Sequence, residues 1–196
     1  MREWGAPMYG PVIVGSRFRM RPPAAQDAET MIAWFEDLEV TRFVTVRFPP
    51  SADQERDWLR RLAESQTDVF WVIEHEGRAV GGTGIHGIDW ASQHGTTGTV
   101  IGDRSVWGRG IAGEMMRLRA DYAFTHLPLR KLKSAYVEGN EASWRAQRGA
   151  GYREVGRLRQ ERFGDGRWLD MVLTELLRED WERARAQRSG PTGTPT

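Results

Sequence analysis

The chain contains no cysteine, which removes disulfides, thiolate metal sites and a cysteine nucleophile together. Its four histidines, His75, His86, His94 and His126, show no HExxH or comparable metal spacing, so no metal site is expected. No apolar run approaches membrane-spanning length, and the strongest, Val69–Ile73, is that of a strand. Charge of one sign is also lacking: 28 Lys and Arg stand against 27 Asp and Glu, a formal +1. No global field therefore draws the chain to nucleic acid or to a membrane. Residues 1–11 hold no signal-peptide core, so the expected location is the cytoplasm. With 196 residues, no linker and no repeat, one domain is expected over 12–188. The Gly, Pro, Ser and Thr residues of 189–196 read as a disordered tail.

Against these absences stands the stretch from Val100 to Gly113. A short β-branched run ends in a polar loop, and a glycine-rich turn then opens a helix on which Ile111, Met115, Leu118 and Tyr122 recur at helical spacing. Glycines 108, 110 and 113 leave backbone N–H groups uncovered at the positive end of that helix, an arrangement that binds phosphate. Several readings compete. Gly108-x-Gly110-x-x-Gly113 matches the dinucleotide fingerprint, with Glu138 downstream for a ribose. Against it, Asp103–Trp107 separate the strand from the first glycine, and the motif lies past mid-chain. A Walker A loop needs Lys and Ser or Thr where Glu114 and Met115 stand. A coenzyme A pyrophosphate loop is the third reading, and a glycine-rich helix start without ligand is the fourth.

The remaining pattern is α+β. Arg17–Arg21 alternates as a strand, and Pro22-Pro23 breaks it before a helix from about Ala24 to Asp37. Ser51-x-x-Gln54 is a capping box for a helix carrying Trp58, Leu59 and Leu62. Val69–Glu74 and Arg78–Ile88 form a hairpin around Glu76-Gly77, and Thr96–Ile101 is the strand that feeds the glycine loop. Lys131–Val137 follows as a strand, Glu141–Arg148 as a short helix, and Glu154–Phe163 with Trp168–Leu176 as a last hairpin. Leu177–Arg188 adds a helical end.

From Ile88 to Trp181 the chain resembles the GNAT superfamily of acetyl-CoA-dependent N-acetyltransferases. It looks most like the branch typified by the bacterial ribosomal-protein N-terminal acetyltransferases RimJ and RimL. The residues that carry the resemblance are Trp107-Gly108-Arg109-Gly110-Ile111-Ala112, Asn140-Glu141-Ala142-Ser143, and Gly151-Tyr152 eight residues after that serine. Glu154–Arg159, Asp165-Gly166-Arg167 and Leu176–Trp181 continue it in order. The resemblance implies a mixed, mostly antiparallel central sheet flanked by helices, with a splayed strand pair that binds coenzyme A. Ile101 and Gly102 would meet the pantetheine arm by their backbone. The N–H groups of Gly108, Arg109, Gly110, Ile111, Ala112 and Gly113 would hold the pyrophosphate, and Trp107 stands where the family usually has Gln or Arg. Fourteen Lys and Arg against seven acids between Arg104 and Arg167 suit a phosphate ligand, with Arg109 and Arg148 the side chains expected on it.

Acetyl transfer to an amine needs a base for the ammonium proton, a donor for the thioester oxygen and a donor for the leaving sulfur. By resemblance, Asn140 holds the pantetheine and Ser143 donates toward the sulfur; both are also good helix caps. Gln147 occupies the place where many relatives carry a tyrosine acid, and Thr96 the place of their glutamate base. Substitute bases are Asp89 first, then His86, with Glu74 third. For the acceptor, Pro22–Thr41 holds Asp27, Glu29, Glu36, Asp37 and Glu39 and no Lys or Arg. With Trp34 and Phe35, these acids (Glu36 and Asp37 foremost) suit a small cationic amine such as an aminoglycoside or polyamine. Helix surface explains the same acids. A protein N-terminal amine, as in RimJ and RimL, is the alternative acceptor, and a coenzyme-A-binding module without turnover is a third reading. The resemblance leaves a homodimer open.

Overall fold

The structure, a computed structural model, describes residues 9–44, 46 and 48–188. The tail expected at 189–196 lies outside the described residues. Strands β1 (Ile13–Val14) and β2 (Arg19–Arg21) precede three helices, α1 (Asp27–Glu36), α2 (Leu38–Thr41) and α3 (Ala52–Glu64). Strands β3 (Val69–His75), β4 (Arg78–Asp89) and β5 (His94–Ile101) lead through a short 3-10 turn at Arg104–Val106 into α4 (Ile111–His126). Then come β6 (Lys131–Val137), α5 (Glu141–Gly149), β7 (Arg153–Gly164), β8 (Arg167–Leu177) and α6 (Arg178–Arg188). All eight strands join one sheet in the order β1-β2-β3-β4-β5-β6-β8-β7, antiparallel throughout except where β5 meets β6.

The apolar run Val69–Ile73 is continuous because both faces of β3 are covered. Val69, Trp71 and Ile73 pack with Ile111, Met115, Ala120 and Phe124 of α4 on one face. Phe70 and Val72 pack with Met31, Leu59 and Leu62 of α1 and α3 on the other. The capping box of α3 is formed, with Ser51 Oγ accepting the Gln54 N–H at 3.2 Å and Gln54 Oε1 accepting the Ser51 N–H at 2.8 Å. Two differences from the sequence pattern have local causes. The helix expected over Ala24–Asp37 starts only at Asp27, and the backbone at Asp37 turns extended so that its carboxylate accepts the Glu39 N–H at 2.8 Å. A separate helix, α2, begins there. The short strand β1, too brief for any periodicity, pairs with β2.

The parallel contact of β5 and β6 is confined to His94–Thr96 against Lys131–Lys133. Beyond it the ladder ends in side chains: Thr97 Oγ1 donates to the Lys133 carbonyl at 3.1 Å and Ser134 Oγ to the Thr97 carbonyl at 3.2 Å. From that point β6 stays with β8 as far as Val137–Met171, and β5 stays with β4 as far as Ile101–Gly81. A fork opens between them.

Candidate active site

A continuous cavity of about 1680 Å³ runs through this fork. At one end it is lined by the glycine loop (Trp107, Gly108, Gly110–Gly113), Arg117, and Asn140, Ser143, Arg145 and Gln147 of α5. At the other it is lined by Phe35, Phe43, Phe48, Trp58, Phe70, His86, Thr96 and Gly98. One space therefore has lining from both the loop and the strands β4 and β5.

Gly108 and Gly110 adopt φ of +74° and +80°, with open space where a Cβ would stand. Only glycine takes this left-handed backbone without strain. The first N–H of α4 to find a helical partner is that of Glu114, bonded to the Gly110 carbonyl at 3.2 Å. The N–H groups of Ile111, Ala112 and Gly113 are thus the orphan donors of a helix start, facing the cavity. The basic side chains at this end are Arg117 and Arg145. Arg109 and Arg148, expected on the phosphate, are exposed and do not line the cavity. Arg145 lines the cavity with Ala142 one turn before it, whereas Arg148, next to the end of α5, is exposed outside it.

The pantetheine edge is offset by one residue from expectation. Gly102 donates its N–H to the Val80 carbonyl at 2.9 Å, inside the sheet. A Cβ there would stand 2.0 Å from Trp34, so Gly102 is a packing position beneath that indole. The alternation of an antiparallel ladder then turns the backbone groups of Thr99 and Ile101 toward the fork. The Ile101 carbonyl is occupied by the Trp107 indole N–H at 2.9 Å. The residue that replaces the family's polar loop side chain thus closes the rim of the fork.

On α5, Asn140 accepts the Ser143 N–H at 3.0 Å as the helix cap. Gln147 is buried and fully engaged. Its Oε1 accepts from Thr174 Oγ1, and its Nε2 donates to the Ala135 carbonyl at 3.3 Å and to Ser143 Oγ at 3.1 Å. Because Ser143 Oγ already accepts a hydrogen bond, its own O–H is left to donate into the cavity that Ser143 lines.

The candidate bases separate clearly. Asp89 is the last residue of β4, accepts the Ser92 N–H at 2.9 Å, and is held by it below the usual carboxylate range. It does not line the cavity, and a register shift separates it from His86, which does. Glu74 is bound by Arg19 and Arg21, each at 2.7 Å, on β3 away from the fork. His86 lines the cavity and is the direct cross-strand partner of Thr96, the position where relatives carry their glutamate. Side chains so paired stand about 5 Å apart on one face, so the imidazole and Thr96 share one stretch of the cavity wall.

His86 Nδ1 lies 3.1 Å from Asp68 Oδ1, while Nε2 is aimed over the glycines of β4 and β5; a Cβ at Gly84 would meet it at 2.5 Å. Burial pushes the imidazole below its ordinary value, Asp68 offsets part of this, and Arg119 adds to the lowering. Arg119 is 1 % exposed under the opposite face of the sheet, donating to Thr83 Oγ1, the Gly98 carbonyl and Thr99 Oγ1. Burial opposes ionisation of Asp68, but the Ser65 hydroxyl and the Gly87 N–H outweigh it and hold its carboxyl low.

The acidic wall expected from Pro22–Thr41 is not formed. Asp27 is clamped by Arg21 at 2.8 and 2.7 Å. Asp37 caps α2 and pairs with Arg104, and Glu29 pairs with Arg56. Trp34 is buried, and Glu36 is exposed away from the cavity. Of the four residues expected at the acceptor, Phe35 alone lines the cavity, joined there by Glu39. These acids follow helix-start and ion-pair chemistry.

A sequence model described as the acetyltransferase (GNAT) domain matches residues 17–153, well over half of the chain. The chain belongs to the GNAT acetyltransferases. An uncharacterised N-acetyltransferase of Bacillus licheniformis, p20, is 27 % identical over 170 residues, covering 84 % of this chain and 95 % of that protein. The spermidine N-acetyltransferase of Vibrio cholerae, crystallised with CoA and spermine, has a TM-score of 0.78 at 18 % identity, covering 86 % of this chain and 99 % of that one. RimL, a ribosomal L7/L12 alpha-N-protein acetyltransferase in complex with coenzyme A, has a TM-score of 0.75 at 13 % identity over 85 % of this chain and 97 % of its own. At such identities the two structures speak for the fold.

This GNAT protein is an acetyl-CoA-dependent N-acetyltransferase, and its residues fit that ligand. Orphan N–H groups at the start of α4, with open space over Gly108 and Gly110, suit a pyrophosphate. The fork edge at Thr99 and Ile101 suits an extended amide arm. Neither dinucleotide topology nor a Walker lysine accompanies the loop.

Proposed function

We propose that the protein transfers acetyl directly from acetyl-CoA to the primary amine of a small cationic acceptor, both held together in the fork, with His86 as base. The observation that carries this reading is His86 Nε2 aimed over the floor of the acceptor side while Asp68 holds Nδ1. Acetyl-CoA supplies an acetyl thioester, whose carbonyl carbon is the electrophile. An imidazole lowered from about 6.5 is neutral at pH 7 and free to accept a proton. His86 takes the proton from the amine nitrogen as the C–N bond forms. Ser143, its oxygen already bonded by Gln147, donates its O–H toward the sulfur as the C–S bond breaks. Of the two protons the ammonium gives up, one ends on the thiol and the other passes through His86 to solvent.

The acceptor walls support a linear amine with an apolar arm over a bulky, many-hydroxyl aminoglycoside, because Phe35, Phe43, Phe48, Trp58 and Phe70 line that side. A protein of the same fold crystallised with spermine is in keeping with this. A second reading, acetylation of a peptide N-terminus, is favoured by Phe48, which is 81 % exposed at the cavity mouth and offers an apolar contact. Mass spectrometry of products from a panel of linear amines, aminoglycosides and peptides with acetyl-CoA tests the proposal. Acetylated linear amine is expected; acetylated peptide alone would give the second reading precedence.

A further inference from the structure

Beyond the amine-transfer reading, on which it rests, the acceptor side of the cavity contains a carboxylate that the transfer does not use. Glu55 stands in the first turn of α3, on the face that carries Leu59 and Leu62 inward. It lines the cavity and is only 6 % exposed. Among the described residues its carboxylate has no hydrogen bond and no ion pair. The other buried acid, Asp27, is fully matched by Arg21 and the Ala24 N–H. The arginines that line the same end of the cavity are engaged elsewhere or exposed: Arg42 pairs with Asp165 at 2.8 Å, and Arg61 is exposed. Burial pushes the Glu55 carboxyl up. The start of α3 and a cation would favour its charged form.

Its position decides which cation. Trp58, three residues along α3 from Glu55, sets its ring edge to face with that of Phe70, centroids 5.0 Å apart, and Phe70 is a further 6.2 Å from the His86 ring. Aromatic surface thus leads from the helix that carries Glu55 to the base. We propose that Glu55 binds a second cationic group of the acceptor, joined to the reacting amine by an apolar arm laid along Trp58 and Phe70. The acceptor class is then the linear α,ω-diamines and their longer homologues. The aromatic stretch selects a methylene chain, and the buried carboxylate selects an end that is charged.

The test is calorimetric titration of the enzyme saturated with coenzyme A, using a linear diamine and the monoamine of equal chain length. The diamine is expected to bind roughly thirty-fold or more tightly, the scale on which a buried charge gains its partner. Glu55→Gln is expected to abolish that preference, so that the two ligands bind alike. Glu55→Asp, which shortens the side chain, is expected to keep the preference and move it to a longer diamine. Equal affinities in the unmodified protein, or a preference that survives Glu55→Gln, overturn the assignment. Failure of the underlying reading is distinguishable: diamine binding that depends on Glu55, with no amine acetylated, would sink the transfer function and leave the Glu55 site standing.

Discussion

Asp68 Oδ1 lies 3.1 Å from His86 Nδ1 and accepts the backbone N–H of Gly87 at the same distance. One carboxylate thereby fixes both the ring and the irregular stretch of β4 that carries it. The tautomer follows: Nδ1 holds the proton that Asp68 accepts, and Nε2 is left as the basic nitrogen.

Asp68 acts through His86, so its removal is expected to alter a pH profile as well as a rate. Asp68→Asn should lower kcat by about ten- to a hundred-fold. Without the carboxylate, burial and Arg119 remain to oppose imidazolium, so the ascending limb of kcat should move to lower pH. A stopped assay of acetylated product from pH 5 to 9 reads both effects. A lower rate with an unmoved limb would reduce Asp68 to a structural tie.

Gly110→Val should abolish the thermal stabilisation given by coenzyme A. The valine would be forced to φ +80°, at a cost of about 1–2 kcal/mol, and its branches would fill the space over the orphan N–H groups. Saturating coenzyme A at a hundred times its Kd should stabilise the unmodified protein by about 2.7 kcal/mol. Melting curves with and without ligand compare the two. A variant that melts normally and still responds to coenzyme A would place the phosphate elsewhere.

How much of this was legible in the sequence depends on how local each signal is. The glycine loop, the α3 capping box and the β3–β4 hairpin are set by residues within a few positions of each other, and they were readable. The fork was implied only by resemblance, since its cause, the hydroxyls of Thr97 and Ser134, joins residues 37 apart. The surroundings that favour His86 over Asp89 were hidden because they join distant residues, Thr96 by sheet pairing and Asp68 by a side-chain contact. The acids of α1 and α2 looked like a wall because Arg21, Arg56 and Arg104, which bind them, lie outside that segment. Glu55 was hidden for the opposite reason: an acid in a helix's first turn ordinarily faces water.

Arg21→Ala should destabilise the fold by about 3–5 kcal/mol, because it strands the buried Asp27 carboxylate. Asp27 and Glu74 are both held below their ordinary values, Asp27 by Arg21 against its burial and Glu74 chiefly by Arg19. Their stabilisation is therefore complete above about pH 5. It is lost as pH falls through the lowered folded-state values. Denaturant melts between pH 3 and 7 should show this acid loss, and Arg21→Ala should flatten it. The acceptor KM should be untouched in assays where the variant is folded.

Ser143→Ala should lower kcat by about ten-fold or more with little change in the KM for acetyl-CoA, the pattern of a contact made in the transition state. Gln147→Ala should lower kcat too and also destabilise by about 1–3 kcal/mol, since Thr174 and the Ala135 carbonyl lose a buried partner. Normal turnover in folded Ser143→Ala would leave that serine as part of the helix cap alone.

The central claim is that His86 accepts the amine proton in a direct transfer, and thiol release from acetyl-CoA tests it. The rate is measured with and without a saturating linear amine, in the unmodified protein and in His86→Gln. Release should depend on the amine, and His86→Gln should lower it by roughly a hundred-fold or more while coenzyme A affinity holds. A folded His86→Gln protein that turns over at the unmodified rate, or release that ignores the amine, would contradict the account.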